Sequence, residues 1–289
     1  MRFDDFKGLI LSMAEDESVS LRQIQSVIAR FFRNKPVPFV QSIQTFVVRC
    51  SINKPGEVFK NVNRCSYPPD EIKDRIGIQR ANYKGQQVFY CSMPTDTIYA
   101  TATLTCVLET AKEHIEDLNV SRTYCTVSRW TNCRPLELWV LPFSEECCAR
   151  NGDIRTIRSN MQSLISKSFK DSQEFTVALE FISDAFSTRS NKQAYYRITS
   201  AFYNFIQYYE RLTGGFRDGI MYPSANTDKA GLNLALKKEL IDERILVCDN
   251  VLMMSIQRKP NNSKELTIWD CSDMAIPDPN GDIRFKFIV

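Results

Sequence analysis

Apolar and polar positions alternate in different ways along the chain. Leu21, Ile24, Ile28, Phe31 and Phe32 recur at the spacing of one helix face. Ser20-Leu-Arg-Gln23 ahead of them has the pattern of a capping box. Residues 4–33 therefore read as two helical pieces, closed by Lys35-Pro36-Val37-Pro38. Residues 45–52 (TFVVRCSI) and 87–92 (QVFYCS) read as strands. The stretch 53–79 between them is loop-like, with Pro55-Gly56 and Pro68-Pro69 as breakers. A helix is expected over 96–114, then a strand pair at 121–130 and 136–143. Residues 155–213 carry three helical patterns. The last is an aromatic stripe of Tyr195, Ile198, Phe202, Phe205, Ile206 and Tyr209, stopped by Gly214-Gly215. Strands return at 218–224 and 245–258, around a short helix expected near 231–241. Two more are expected at LTIWD and at the final DIRFKFIV, which is entered through a Pro-Asn-Gly turn. Strands, then helices, then strands suit an α+β fold with a helical insertion better than repeated βαβ units.

Composition narrows the function classes. The 289 residues are 43% hydrophobic and 25% charged, enough for one large domain or two small ones. A net charge of +3 with no block of Lys and Arg argues against a duplex-DNA binder. No stretch is long and apolar enough for a span, and Asp4, Asp5 and the AEDE that follows spoil a signal peptide. The chain thus reads as cytoplasmic, with no membrane partner and no direct nucleic-acid binding. Its ten cysteines include no CxxC pair, so they read as reduced, mostly buried thiols rather than a metal site. Cys147-Cys148 has no sequence-level account.

Standard catalytic apparatus is sparse. The one histidine, His114, falls near a helix end, where the helix dipole favours it. HExxH, a Walker A loop and GxGxxG are absent. GGFRDG (214–219) reads as a helix stop and a turn. The remaining candidates are Arg, Tyr, Glu, Ser and Asn residues beside strands. Such a set suits cleavage of a ribosyl N-glycosidic bond through an oxocarbenium-like transition state. A nicotinamide leaving group is already activated by its positive ring. The protein then needs only to hold the pyrophosphate, orient the ribose and place negative charge by the developing cation.

Three stretches resemble the signatures of the RES family. GIQRANYKGQQVFYCS resembles the first, Arg-Ala/Trp-Asn followed by Gly and a strand ending in Tyr. Glu109 in TCVLETA resembles the family's glutamate. DGIMYPSANTDKAGLNLAL resembles the last, Asp-Gly, Tyr-Pro-Ser and Gly-x-Asn. Arg80, Glu109 and Ser224 stand in the family's order, and Arg49 resembles a further family arginine. The spacing from Tyr90 to Glu109 is long for the family, and Asp96, at an expected helix N-cap, is the nearest other acid.

The resemblance covers residues 45–110 and about 216–258. It implies an ADP-ribosyltransferase-like mixed sheet in a catalytic domain over 45–289. The helical insertion would span 150–215, and residues 1–44 would be a helical appendage. It further implies a toxin that consumes NAD as substrate by hydrolysis or phosphorolysis, with no cofactor and no metal. Transfer of ADP-ribose to a protein or nucleic acid, or a non-catalytic nucleotide-binding role, are the alternatives. Arg80 and Arg49 would bind the pyrophosphate. Tyr90 would contact the nicotinamide or its ribose, and Glu109 the ribose hydroxyls and the oxocarbenium. Ser224 would position the nicotinamide ribose or amide, with Tyr222 on the substrate and Asn82 and Asn233 bracing the site. The partners implied are a neutralising helix-turn-helix antitoxin and a possible homo-oligomer.

Overall fold

The computed structural model describes residues 1–33, 40–95, 101–117, 120, 122–168, 172–189, 193–258 and 266–288. The expected breaker at 35–38 and Asp96 lie outside them.

The first two helices, α1 (Phe3–Glu15) and α2 (Leu21–Phe31), follow the sequence pattern. Both halves of the capping box form: the Gln23 N–H donates to Ser20 Oγ at 3.3 Å, and the Ser20 N–H to Gln23 Oε1 at 2.7 Å. The apolar face of α2, with Ile24, Val27, Ile28 and Phe31, is buried.

Nine described strands form one sheet. They are β1 (Val40–Ile43), β2 (Val47–Asn53), β3 (Val88–Met93), β4 (Arg122–Asn132), β5 (Leu136–Val140), β6 (Gly219–Pro223), β7 (Leu232–Lys237), β8 (Leu246–Arg258) and β9 (Leu266–Asp270). Their order is β1-β5-β6-β7-β3-β2-β4-β8-β9. Every neighbouring pair is antiparallel except β5 and β6. A parallel pair needs a crossover. That crossover is the helical block: α4 (Glu145–Arg150), α5 (Gly152–Ser168), α6 (Ser172–Phe186) and α7 (Gln193–Thr213). Gly214 ends α7 with a φ of 70°.

The central strands are buried on both faces. On one face Val88, Trp139, Ile220, Tyr222 and Ala235 join a core built by α1, α2, α6 and α7. On the other, Phe89, Leu138, Met221, Leu234 and Leu236 join Cys147, Cys148, Ile154 and Met161 of α4 and α5. Cys147 and Cys148 are thus packing residues. A third core lies under α3 (Ala102–Glu116), against Val48, Cys50, Cys125 and Val127 of β2 and β4. No helix among the described residues is long and apolar enough to cross a membrane.

Five expectations change. The stretches 121–130 and 136–143 are strands but not a pair: β4 lies between β2 and β8, and β5 between β1 and β6. The helix expected near 231–241 is strand β7, followed by only a four-residue helix, α8 (Glu239–Asp242). The described part of the terminal DIRFKFIV, residues 282–288, forms no ladder among the described residues. It makes isolated bridges to two different segments, Asp282 with Asn61 and Phe287 with Ser272. Finally, α3 starts at Ala102, capped by Thr101, whose hydroxyl accepts from the Leu104 N–H at 3.2 Å. The stretch 1–44 also contains β1, an edge strand of the sheet.

Candidate functional site

The segment between Ile76 and Tyr90 folds on itself around Asn82, which is 1% exposed. Its Nδ2 donates to the carbonyls of Gly77 and Tyr83, both at 2.8 Å. The Tyr90 hydroxyl donates to Asn82 Oδ1 at 2.8 Å and accepts the Ala81 N–H at 2.9 Å. Gly85 makes the turn with a φ of 77°, a left-handed conformation that favours glycine. One side-chain network therefore closes the loop and fixes Arg80 and Tyr90 at its two ends. Burial pushes the Tyr90 phenol far above its ordinary range, so it serves as a ring and not as an acid or base.

The carboxylate comes from α3. Gly231 lets this helix approach: a Cβ there would lie 2.4 Å from Thr105 Oγ1. One turn further along, Glu109 Oε1 accepts from Ser224 Oγ (2.6 Å), Asn233 Nδ2 (3.0 Å) and the Asn226 N–H (3.2 Å). Its Oε2 accepts from Asn226 Nδ2 at 2.8 Å. All four partners donate, which suits an acceptor-only, ionised carboxylate and leaves room for a further donor on Oε2. Asn233 is oriented in turn by the Ser92 hydroxyl, which donates to its Oδ1 at 2.8 Å across the β3–β7 pair.

Like the glutamate, the two arginines have no ion-pair partner among the described residues. Arg49, on β2, donates from Nη1 to the Tyr90 carbonyl at 2.6 Å and lies 5.2 Å from the Phe89 ring centre. Its Nε has no hydrogen-bond partner, and burial pulls its pKa down. Arg80 donates from Nη2 to the Thr188 carbonyl at 3.1 Å, and its Cζ lies over the Tyr196 ring, 5.1 Å from the centre, while its Nη1 is buried with no hydrogen-bond partner among the described residues. A half-buried guanidinium without a counter-charge gains from a ligand that supplies one. A carboxylate or phosphate fits its planar fork.

These groups face one cavity of about 540 Å³. Arg49, Arg80, Tyr90, Glu109, Tyr222 and Asn233 all line it. Asn82 and Ser224 stand behind it. Ser224 is 0% exposed, so its hydroxyl holds Glu109 and does not reach into the open space. A second cavity of about 270 Å³ shares Arg49 and Tyr90 as its wall and reaches Asn82. Cys91 and Cys106 also line the larger cavity, but burial pushes both thiols up and out of the nucleophilic range. His114 is exposed on the last turn of α3 and is not part of the lining. No cluster of His, Cys, Asp and Glu among the described residues could hold a metal ion.

Four residues of the site were not singled out in the sequence. Tyr196 comes from α7. Asn226 lies inside the last signature, two residues after Ser224. Ser92 lies on β3 two residues after Tyr90, on the same face of the strand. Glu113, one helical turn beyond Glu109, is exposed at the cavity. Asn226 and Ser92 fall inside the signature stretches; Tyr196 and Glu113 do not.

No family model matches the chain, and no curated protein matches it.

Proposed function

We propose that the protein cleaves the nicotinamide–ribose bond of NAD. The observation that carries this reading is the charge arrangement in the 540 Å³ cavity. Two arginines there have no ion-pair partner among the described residues, and one carboxylate is locked by four donors. The resemblance to the RES signatures, and with it an ADP-ribosyltransferase-like arrangement of the sheet, points the same way.

In this reading Arg80 and Arg49, which both line the cavity, take the pyrophosphate. The free direction on Glu109 Oε2 accepts a ribose hydroxyl. The bond from C1 of the ribose to the ring nitrogen then breaks, and nicotinamide leaves with the electron pair as a neutral molecule. The cation left on the ribose is stabilised by the fixed negative charge of Glu109. Water adds to C1 and loses its proton to solvent, giving ADP-ribose. No general acid is required for this leaving group. The half-buried Tyr90 and the buried Tyr222 supply ring surface that excludes water.

The test is incubation of NAD with the purified protein, followed by chromatography. Free nicotinamide and free ADP-ribose are expected in equal amounts. A phosphorylated ADP-ribose would identify phosphate as the nucleophile, and label retained on a macromolecule would identify transfer. NAD that binds and stays intact would refute cleavage and leave a nucleotide-binding module.

A further inference from the structure

Tyr196 lies on α7, in the helical block that carries no resemblance to the family, yet it lines the same cavity as Glu109. We propose that Tyr196 is a positioning residue which holds the Arg80 guanidinium in its ligand-binding orientation. The inference rests on the reading of Arg80 as the pyrophosphate anchor.

The geometry is specific. Arg80 Cζ is 5.1 Å from the Tyr196 ring centre. A ring beneath a guanidinium attracts its charge without taking up an N–H donor. One donor, on Nη2, goes to the Thr188 carbonyl. Ring and carbonyl together hold the guanidinium at the cavity wall, where an anion can meet it.

The ring is itself anchored before any ligand arrives. The next residue on α7, Arg197, is 6% exposed and donates to the carbonyls of Ala14 and Asp16, each at 2.7 Å, and of Val19. This ties α7 to the turn between α1 and α2. Further along α7, the Ser200 hydroxyl donates to the Asn82 carbonyl at 2.8 Å, and Gln207 accepts from the Gln86 amide at 3.2 Å. From α2, Gln25 accepts from the Tyr83 hydroxyl at 2.8 Å. The loop from Arg80 to Gln86 is thus clamped from outside by α2 and α7. Tyr196 is the point at which that clamp touches the ligand-binding charge.

The pyrophosphate does not react, so a group that only grips it acts on substrate binding and not on the chemical step. NAD consumption by Tyr196→Leu should show KM raised about 3- to 30-fold, the range of a guanidinium–ring contact from exposed to desolvated, with kcat little changed. Tyr196→Phe keeps the ring and should restore the wild-type KM. In an Arg80→Ala background, Tyr196→Leu should cost nothing further. A merely structural role would lower kcat with the folded fraction and would act equally in both backgrounds. Wild-type protein that consumes NAD while Tyr196→Leu keeps its KM would overturn the inference and leave the proposed function standing. If the wild type consumes no NAD, calorimetric titration with ADP decides separately. Weaker ADP binding by Tyr196→Leu than by wild type would support the inference. Equal binding, or binding to neither, would overturn it.

Discussion

Asn226→Asp converts a donor beside Glu109 into a second carboxylate without changing its shape. In the wild type, Asn226 Nδ2 stands 2.8 Å from Glu109 Oε2. Two full negative charges at that distance repel by about 6 kcal/mol at an effective dielectric near 20, which suits a half-buried pair. The pair escapes most of this cost by sharing a proton, which raises the pKa of the introduced carboxyl. At high pH the proton is lost, and the carboxylate that should stabilise the ribosyl cation is pushed from its place. At low pH the introduced carboxyl is protonated and donates to Glu109 again. Turnover relative to wild type should therefore be down by about 100-fold near pH 8, the scale of losing one electrostatic group. It should recover at least about tenfold by pH 5. The assay is nicotinamide release by both proteins across that range, with circular dichroism confirming the fold at each point. A ratio that stays flat, or falls with acid, would refute the role given to the Glu109 network.

Other consequences concern the scaffold. Ser20→Ala removes one half of the α2 capping box and should cost about 1 kcal/mol, lowering the thermal midpoint by about 2 °C as followed by circular dichroism. Gly219→Ala would put a Cβ 2.2 Å from the Ala235 carbonyl oxygen and 2.9 Å from Leu236 Cα, inside the β6–β7 pair. Backbone cannot yield as a side-chain tip does, so a loss of about 3 kcal/mol or more, seen as aggregation or a sharply lower denaturation midpoint, is expected. A soluble variant of wild-type stability would contradict that register. Tyr90→Phe orphans the Ala81 N–H and Asn82 Oδ1 and should cost about 1–3 kcal/mol, with hydrogen exchange at Ala81 faster by the corresponding factor.

Local signals were legible where one short stretch sets the structure. The capping box and apolar spacing of α2 are of this kind, as are the strands at 45–52 and 87–92 and the stop at Gly214. Most failures are non-local. The exception is GLNLALK, where Leu232, Leu234 and Leu236 alternate with Asn233, Ala235 and Lys237, so the signal for strand β7 was present in the sequence and the expected helix overrode it. Strands β4 and β5 are four residues apart, yet the chain carries them to opposite sides of the sheet centre. The alternation in DIRFKFIV was real, since Ile283 is buried, but its partners lie on two separate segments. The site follows the same division. Arg49, Arg80, Tyr90, Glu109, Tyr222 and Asn233 were named from short motifs, and they meet in one cavity. The role expected for Ser224 shifted from the ligand to the carboxylate because its burial depends on how α3 packs. Tyr196 had no motif to mark it, since only the folded chain brings it to the cavity.

The most direct measurement is nicotinamide release from NAD by the wild type and by Glu109→Ala, each verified as folded. Wild-type protein should release one nicotinamide per NAD lost, and Glu109→Ala should be at least about 100-fold slower. Intact NAD after prolonged incubation with the wild type, or undiminished release by the variant, would contradict the assignment of Glu109 as the charge that stabilises the ribosyl cation.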